Sequence, residues 1–78
     1  MNTTLLVENN QELESFYSLN LQTWVGTTII PKKEAKFCYK VFEDGSQIDL
    51  IITKARNGLE KSAEAIFEMI QKSGRNIP

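Results

Sequence analysis

In the stretch FCYKVFEDGSQIDLII, residues 37–52, an Asp-Gly pair stands between two apolar runs. Asp-Gly favours a two-residue turn with positive φ at both positions, the tightest link between two antiparallel strands. With Asp44 and Gly45 at the turn, Val41 faces Ile48, Tyr39 faces Leu50 and Phe37 faces Ile52. These pairs share one side of the ribbon and predict a buried sheet face. Lys40 opposite Asp49, Phe42 opposite Gln47 and Cys38 opposite Ile51 fall on the other side, a mixture of apolar and charged groups.

Helical signals flank this hairpin. Asn9 and Glu12 stand at capping-box spacing, and Leu13, Phe16, Tyr17 and Leu21 follow at helical intervals as the expected buried stripe of a short first helix that ends near Asn20. Upstream, Thr3 to Val7 reads as a brief edge strand or a frayed end. Trp24 to Ile30 is rich in β-branched residues and reads as a strand stopped by Pro31. The basic loop PKKEAK follows. Asn57 with Glu60 forms a second capping pattern, and Leu59, Ala63, Ile66, Phe67 and Ile70 line one face of a helix over 58–73, closed by Gly74. The expected class is therefore α+β, in α-β-β-β-α order. A three-stranded antiparallel sheet packs on the helices of one domain spanning 1–78, with 1–8 frayed or forming an extra short strand.

Catalytic chemistry has little to build on. The chain has no histidine, the usual general base near neutral pH. Its one cysteine, Cys38, falls mid-strand in this reading, where a small apolar filler is the expected role. The four glycines are scattered, so no phosphate-binding loop is formed. Glu60, Glu64 and Glu68 line one helix face as a solvated stripe. Neither an enzyme, a cofactor nor a metal is expected. One cysteine also makes no internal disulfide, and the first base is Lys32, so no secretory signal is recognised. A cytoplasmic, soluble chain without membrane contact is expected.

The net charge of −1 is unevenly spread. Residues 1–31 carry Glu8, Glu12 and Glu14 and no base, whereas residues 32–56 hold Lys32, Lys33, Lys36, Lys40, Lys54 and Arg56. Nucleic-acid binders are usually plainly basic, and this chain is not.

The α-β-β-β-α order is similar to that of double-stranded-RNA-binding domains. That resemblance implies duplex contact through the loop bearing Lys32, Lys33 and Lys36, with Lys54 and Arg56 nearby. The start of the last helix, RNGLEKSAEA, lacks the lysine cluster of such domains and places Glu60 and Glu64 there instead. Residues 60–78, EKSAEAIFEMIQKSGRNIP, resemble the closing helix and tail of HicB-type antitoxins, without the glycine-proline segment that precedes it. This second resemblance implies a small protein partner.

The second face of the hairpin carries the functional expectation. Trp24, Lys40, Phe42, Asp49 and Ile51 form a patch of aromatic and aliphatic groups around one charge pair, as in the centre of a protein interface. The exposed sheet edge offers a further route to a partner or a second copy. The chain is expected to be a small non-enzymatic binding protein, a regulator or inhibitor that occupies a surface on a larger partner. Chains of this size and kind are common among phage and mobile-element regulators. The alternative is a nucleic-acid-binding module using Lys32, Lys33, Lys36, Lys54 and Arg56.

Overall fold

The computed structural model describes residues 2–78. Strand β1 (Thr3–Val7) leads through helix α1 (Gln11–Val25) to β2 (Thr28–Lys32). A 3-10 turn (Ala35–Cys38) then runs directly into helix α2 (Tyr39–Glu43), followed by β3 (Leu50–Thr53) and α3 (Ser62–Ser73). The sheet order is β2-β1-β3, and both pairings are parallel. The antiparallel sheet and the α-β-β-β-α order are thus overturned, and with them the likeness to double-stranded-RNA-binding domains. Helices and strands alternate along the chain, which is what parallel neighbours require, because each return crosses the sheet.

Thr3–Val7, read as an edge or frayed segment, is the central strand. Leu5, Leu6 and Val7 are buried in succession, as a strand covered on both faces demands. Leu5 is flanked by Ile30 and Ile51, and Leu6 by Pro31 and Ile52. Leu5 and Val7 join Ala35, Cys38, Val41, Phe42, Ile48, Ile66 and Met69 in the core, with Ile30 and Ile51 packed against it. This face of the sheet therefore meets the 3-10 turn, α2 and α3. By strand alternation, Thr4, Leu6, Ile29, Leu50 and Ile52 point the other way.

The hairpin does not form because its first arm is helical. Ala35, Cys38, Val41 and Phe42 recur at helical intervals and are all buried. A period of 3.6 buries this set on one side, whereas a period of 2 divides it between two faces. Gly45 has φ +70°, but it closes α2 by donating its N–H to the Phe42 carbonyl at 3.4 Å. Of the residues expected on the buried hairpin face, Val41 and Ile48 are buried. Phe37, Tyr39 and Leu50 are exposed.

Both outer helices differ from expectation in extent. In α1 the cap is Asn10, whose Oδ1 accepts the Leu13 N–H at 3.0 Å, and the helix continues through Trp24 and Val25 to a left-handed Gly26. The strand expected over 24–30 and stopped by Pro31 instead starts at Thr28 and runs through Pro31 to Lys32. Pro31 lies inside β2 at an outward register position, since Thr28 and Lys32 exchange bonds with the β1 side; an edge strand tolerates that. In α3 the helix starts at Ser62, because Asn57 and Glu60 exchange backbone hydrogen bonds at 3.0 Å in a tight turn. Leu59 consequently lies outside the helix and fully exposed.

Candidate functional site

The expected contact patch is dispersed. Phe42 is buried in the core, and Ile51 packs against that core from β3 while its N–H is taken by the Pro78 carbonyl at 2.9 Å. Asp49 is structural: its Oδ2 accepts the Thr3 N–H at 2.8 Å, and its own N–H returns to the Thr3 carbonyl at 2.8 Å. Lys40 is exposed on α2, and Trp24 is exposed near the end of α1. The register that united these five residues depended on the hairpin, so it fails with the hairpin.

The basic set is also divided. Lys36 pairs with Glu34 at 3.2 Å, and its ammonium lies 5.4 Å from the Phe37 ring centre. Lys54 pairs with the buried Glu8 at 2.8 Å. Lys32 and Lys33 line a cleft of about 310 Å³ at the carboxyl end of β1 and β2, shared with Glu8, Asn9, Gln11 and Glu14. Arg56 is exposed. Burial works to raise the Glu8 carboxyl, but the Lys54 ammonium and the Asn10 and Asn9 N–H groups outweigh it and hold the group below its ordinary value. An ion pair this well satisfied holds the ends of β1 and β3 together and leaves Lys54 engaged.

Cys38 is fully buried, and its Sγ lies 3.9 Å from the Glu34 carbonyl. Burial pushes its thiol up to about 11, with Glu60 adding to the rise and Lys32 opposing it, so it carries a proton at neutral pH. Among the described residues no three His, Cys, Asp or Glu side chains converge on a metal-sized site, and no helix is long and apolar enough to cross a membrane.

The largest unexplained feature is α1. Leu13, Phe16, Tyr17, Leu19, Leu21, Trp24 and Val25 make seven apolar positions in this helix, yet none of its 15 residues is buried. A helix with an apolar stripe normally buries that stripe against a neighbouring element. Glu14, Ser18, Asn20 and Leu21 are its less exposed positions, and Glu14, Ser18 and Leu21 share the side that turns toward the sheet. Leu13, Tyr17 and Trp24 form a stripe on one flank, with Phe16 beside it. β-helix-β crossovers are right-handed in about 98% of cases, and with that hand this flank faces β3. There Leu50 is 40% exposed and Ile52 half-buried, because no helix of this chain covers them. The stripe and the bare half-face of β3 make two walls of an apolar step. The exposed surface of 5259 Å² exceeds the roughly 4,800 Å² typical of a monomer of this mass, as an uncovered face requires.

Sequence reasoning assigned Leu13, Phe16 and Tyr17 to the core and Leu50 and Ile52 to a buried hairpin face. The signal that separates them was present: the 4-3-4 spacing Leu13, Tyr17, Asn20, Trp24 continues beyond the expected helix end. No family model, no curated protein and no solved structure matches this chain.

Proposed function

We propose that this chain is a small non-enzymatic binding protein, a regulator or inhibitor that acts by occupying a surface on a larger protein partner. The contact face is the apolar step made by α1 and β3, with Phe16, Tyr17, Trp24 and Leu50 as its centre. The observation that carries the reading is the α1 helix itself, which shows Leu13, Phe16, Tyr17, Leu19, Trp24 and Val25 to solvent and buries none of its residues. Aromatic side chains are enriched in the energetic centres of interfaces, and this step places three of them within one helix. Its mechanism is steric, since the face carries no group suited to bond making or breaking. The cytoplasm suits this role, because Cys38 is retained there as a thiol.

Nucleic-acid docking through Lys32, Lys33, Lys36, Lys54 and Arg56 has less to support it. Lys36 and Lys54 are paired, and Lys32 and Lys33 share their cleft with Glu8 and Glu14.

The test uses immobilised full-length chain to capture partners from lysate, beside a Phe16→Ala, Trp24→Ala double variant of unchanged helical content. A protein retained by the parent, lost with the variant and indifferent to nuclease supports the reading. Retention that the variant keeps, or that nuclease removes, overturns it.

A further inference from the structure

We infer that the resting occupant of the α1–β3 step is a second copy of this chain, whose α1 lies antiparallel to the first so that the two sheets enclose one shared pair of helices. The inference rests on the proposed binding face and names what fills it before a larger partner does; that partner then displaces the second copy.

Four features of α1 favour its own kind. The first is self-complementarity. Antiparallel alignment about the middle of the stripe sets Leu13 against the second copy's Trp24, Phe16 against its Leu21 and Tyr17 against its Asn20. An isologous two-fold contact needs this reciprocal pairing. The second is charge. Glu12 and Glu14 in the first turn are the only charged groups of the helix. Antiparallel packing places the two acidic turns at opposite ends of the pair, whereas parallel packing brings four carboxylates together. Residues 15–25 carry no charge, so the middle of the paired stripe brings no charge into the contact.

The third feature is geometry. α1 covers the β1–β2 side of its own sheet and leaves β3 bare, so each sheet lacks one helix on this face, and a second α1 supplies it. Phe16 and Leu19, which turn away from their own sheet, then meet Leu50 and Ile52 of the second copy. The fourth is area. Trp24 is 78% exposed, Phe16 59% and Tyr17 38%. At about 200 Å² for a fully exposed aromatic side chain these give about 350 Å², and Leu13, Leu19 and Leu50 add roughly 250 Å². About 1,200 Å² over two copies, when all of it is covered, lies at the lower end of the range of about 1,200–2,000 Å² for stable interfaces.

The experiment is sedimentation equilibrium of the full chain from low to high micromolar concentration, with Trp24→Ala, Leu50→Asp and Leu59→Asp variants. The expected result is a species of twice the 8.9 kDa chain mass, with dissociation at least tenfold easier for Trp24→Ala and Leu50→Asp. Leu59→Asp, exposed outside the step, leaves the dimer intact. Circular dichroism shows which variants stay folded; if Leu50→Asp does not, Trp24→Ala still decides. A parent chain that remains monomeric throughout overturns the inference. So does a dimer indifferent to Trp24→Ala. If the parent is monomeric yet a partner is still captured through Phe16 and Trp24, the binding reading stands without the dimer. If neither occurs, both fall.

Discussion

The carboxylate of Glu60 accepts the backbone N–H of Ala35 at 2.9 Å and that of Lys36 at 3.3 Å, capping a helical segment that lies 25 residues earlier in the chain. The Ser62 hydroxyl donates to the same carboxylate at 2.9 Å and holds it in place. The 3-10 turn and α2 thus take their N-terminal cap from the loop before α3. Burial works to raise the Glu60 carboxyl, but the Ala35 and Lys36 N–H groups and the Ser62 hydroxyl outweigh it and lower the group from its ordinary value.

Glu60→Ala removes the cap and leaves two N–H groups without this partner. The expected loss is about 1–2 kcal/mol, at the upper end for charge-assisted caps. In a domain of this size that is a fall in Tm of roughly 5–15 °C. Glu60→Gln keeps one acceptor and loses about half as much, a difference that thermal melts followed by circular dichroism resolve.

Glu8 and Glu60 together set the acid limit of the fold. Both carboxyls lie below their ordinary value in the folded chain, so the unfolded chain binds more protons as pH falls. Their contribution is fully present above about pH 4.5, the ordinary value, and is lost as pH falls through the lowered folded values. Melting temperature measured from neutral pH downward stays flat and then drops on entering that range. Glu8→Gln and Glu60→Gln are each less stable at neutral pH and lose less on acidification.

Phe42 and Trp24 part company on substitution. Phe42→Ala opens a cavity among Val41, Ile48, Ile66 and Met69, and the expected loss is about 3–4 kcal/mol. That is enough to unfold much of a marginal small domain. Trp24→Ala removes a side chain that touches solvent, and the chain keeps its helical content. Urea melts of the two variants, compared at a concentration low enough to hold the chain monomeric, show the contrast.

Gly45 ends α2 in a left-handed conformation with open space around the position of a Cβ. Gly45→Ala therefore costs only the backbone strain of positive φ, about 1 kcal/mol. If the hairpin existed, the same substitution would also splay two paired strands and abolish the β signal of residues 37–52.

What could be read from the residues follows from how local each signal is. Gly74 as a stop and Gly45 at positive φ are set within a turn of chain, whereas the capping boxes expected of Asn9 with Glu12 and of Asn57 with Glu60 do not form: Asn10 caps α1, and α3 starts only at Ser62. The parallel sheet was harder to see, because its signal is the absence of alternation. Leu5-Leu6-Val7, Ile29-Ile30 and Leu50-Ile51-Ile52 are consecutive apolar runs, the mark of strands covered on both faces. Between them the segment from Ala35 to Phe42 fits period 2 and period 3.6 almost equally over so few residues, and the Asp-Gly pair tipped the choice toward a hairpin. Glu60 fits a capping box for its own helix, and nothing local reveals that it caps another. The candidate face was illegible for the same reason. Leu13, Phe16 and Tyr17 declare an apolar stripe, but whether this chain or another covers it depends on how many helices the sheet has to share.

Trp24 is the single tryptophan of the chain and lies on the proposed face, so its emission reports directly on what covers α1. The measurement is the emission maximum of the full chain across a dilution series, with far-ultraviolet circular dichroism recorded on the same samples. Occupation of the face predicts a blue-shifted maximum at high concentration that moves to the red of exposed indole on dilution, with helical content unchanged. An emission maximum fixed at the blue end down to the lowest concentration would contradict the account by placing Trp24 inside the monomer core. One fixed at the red end throughout would leave the face empty and contradict the second copy as its occupant.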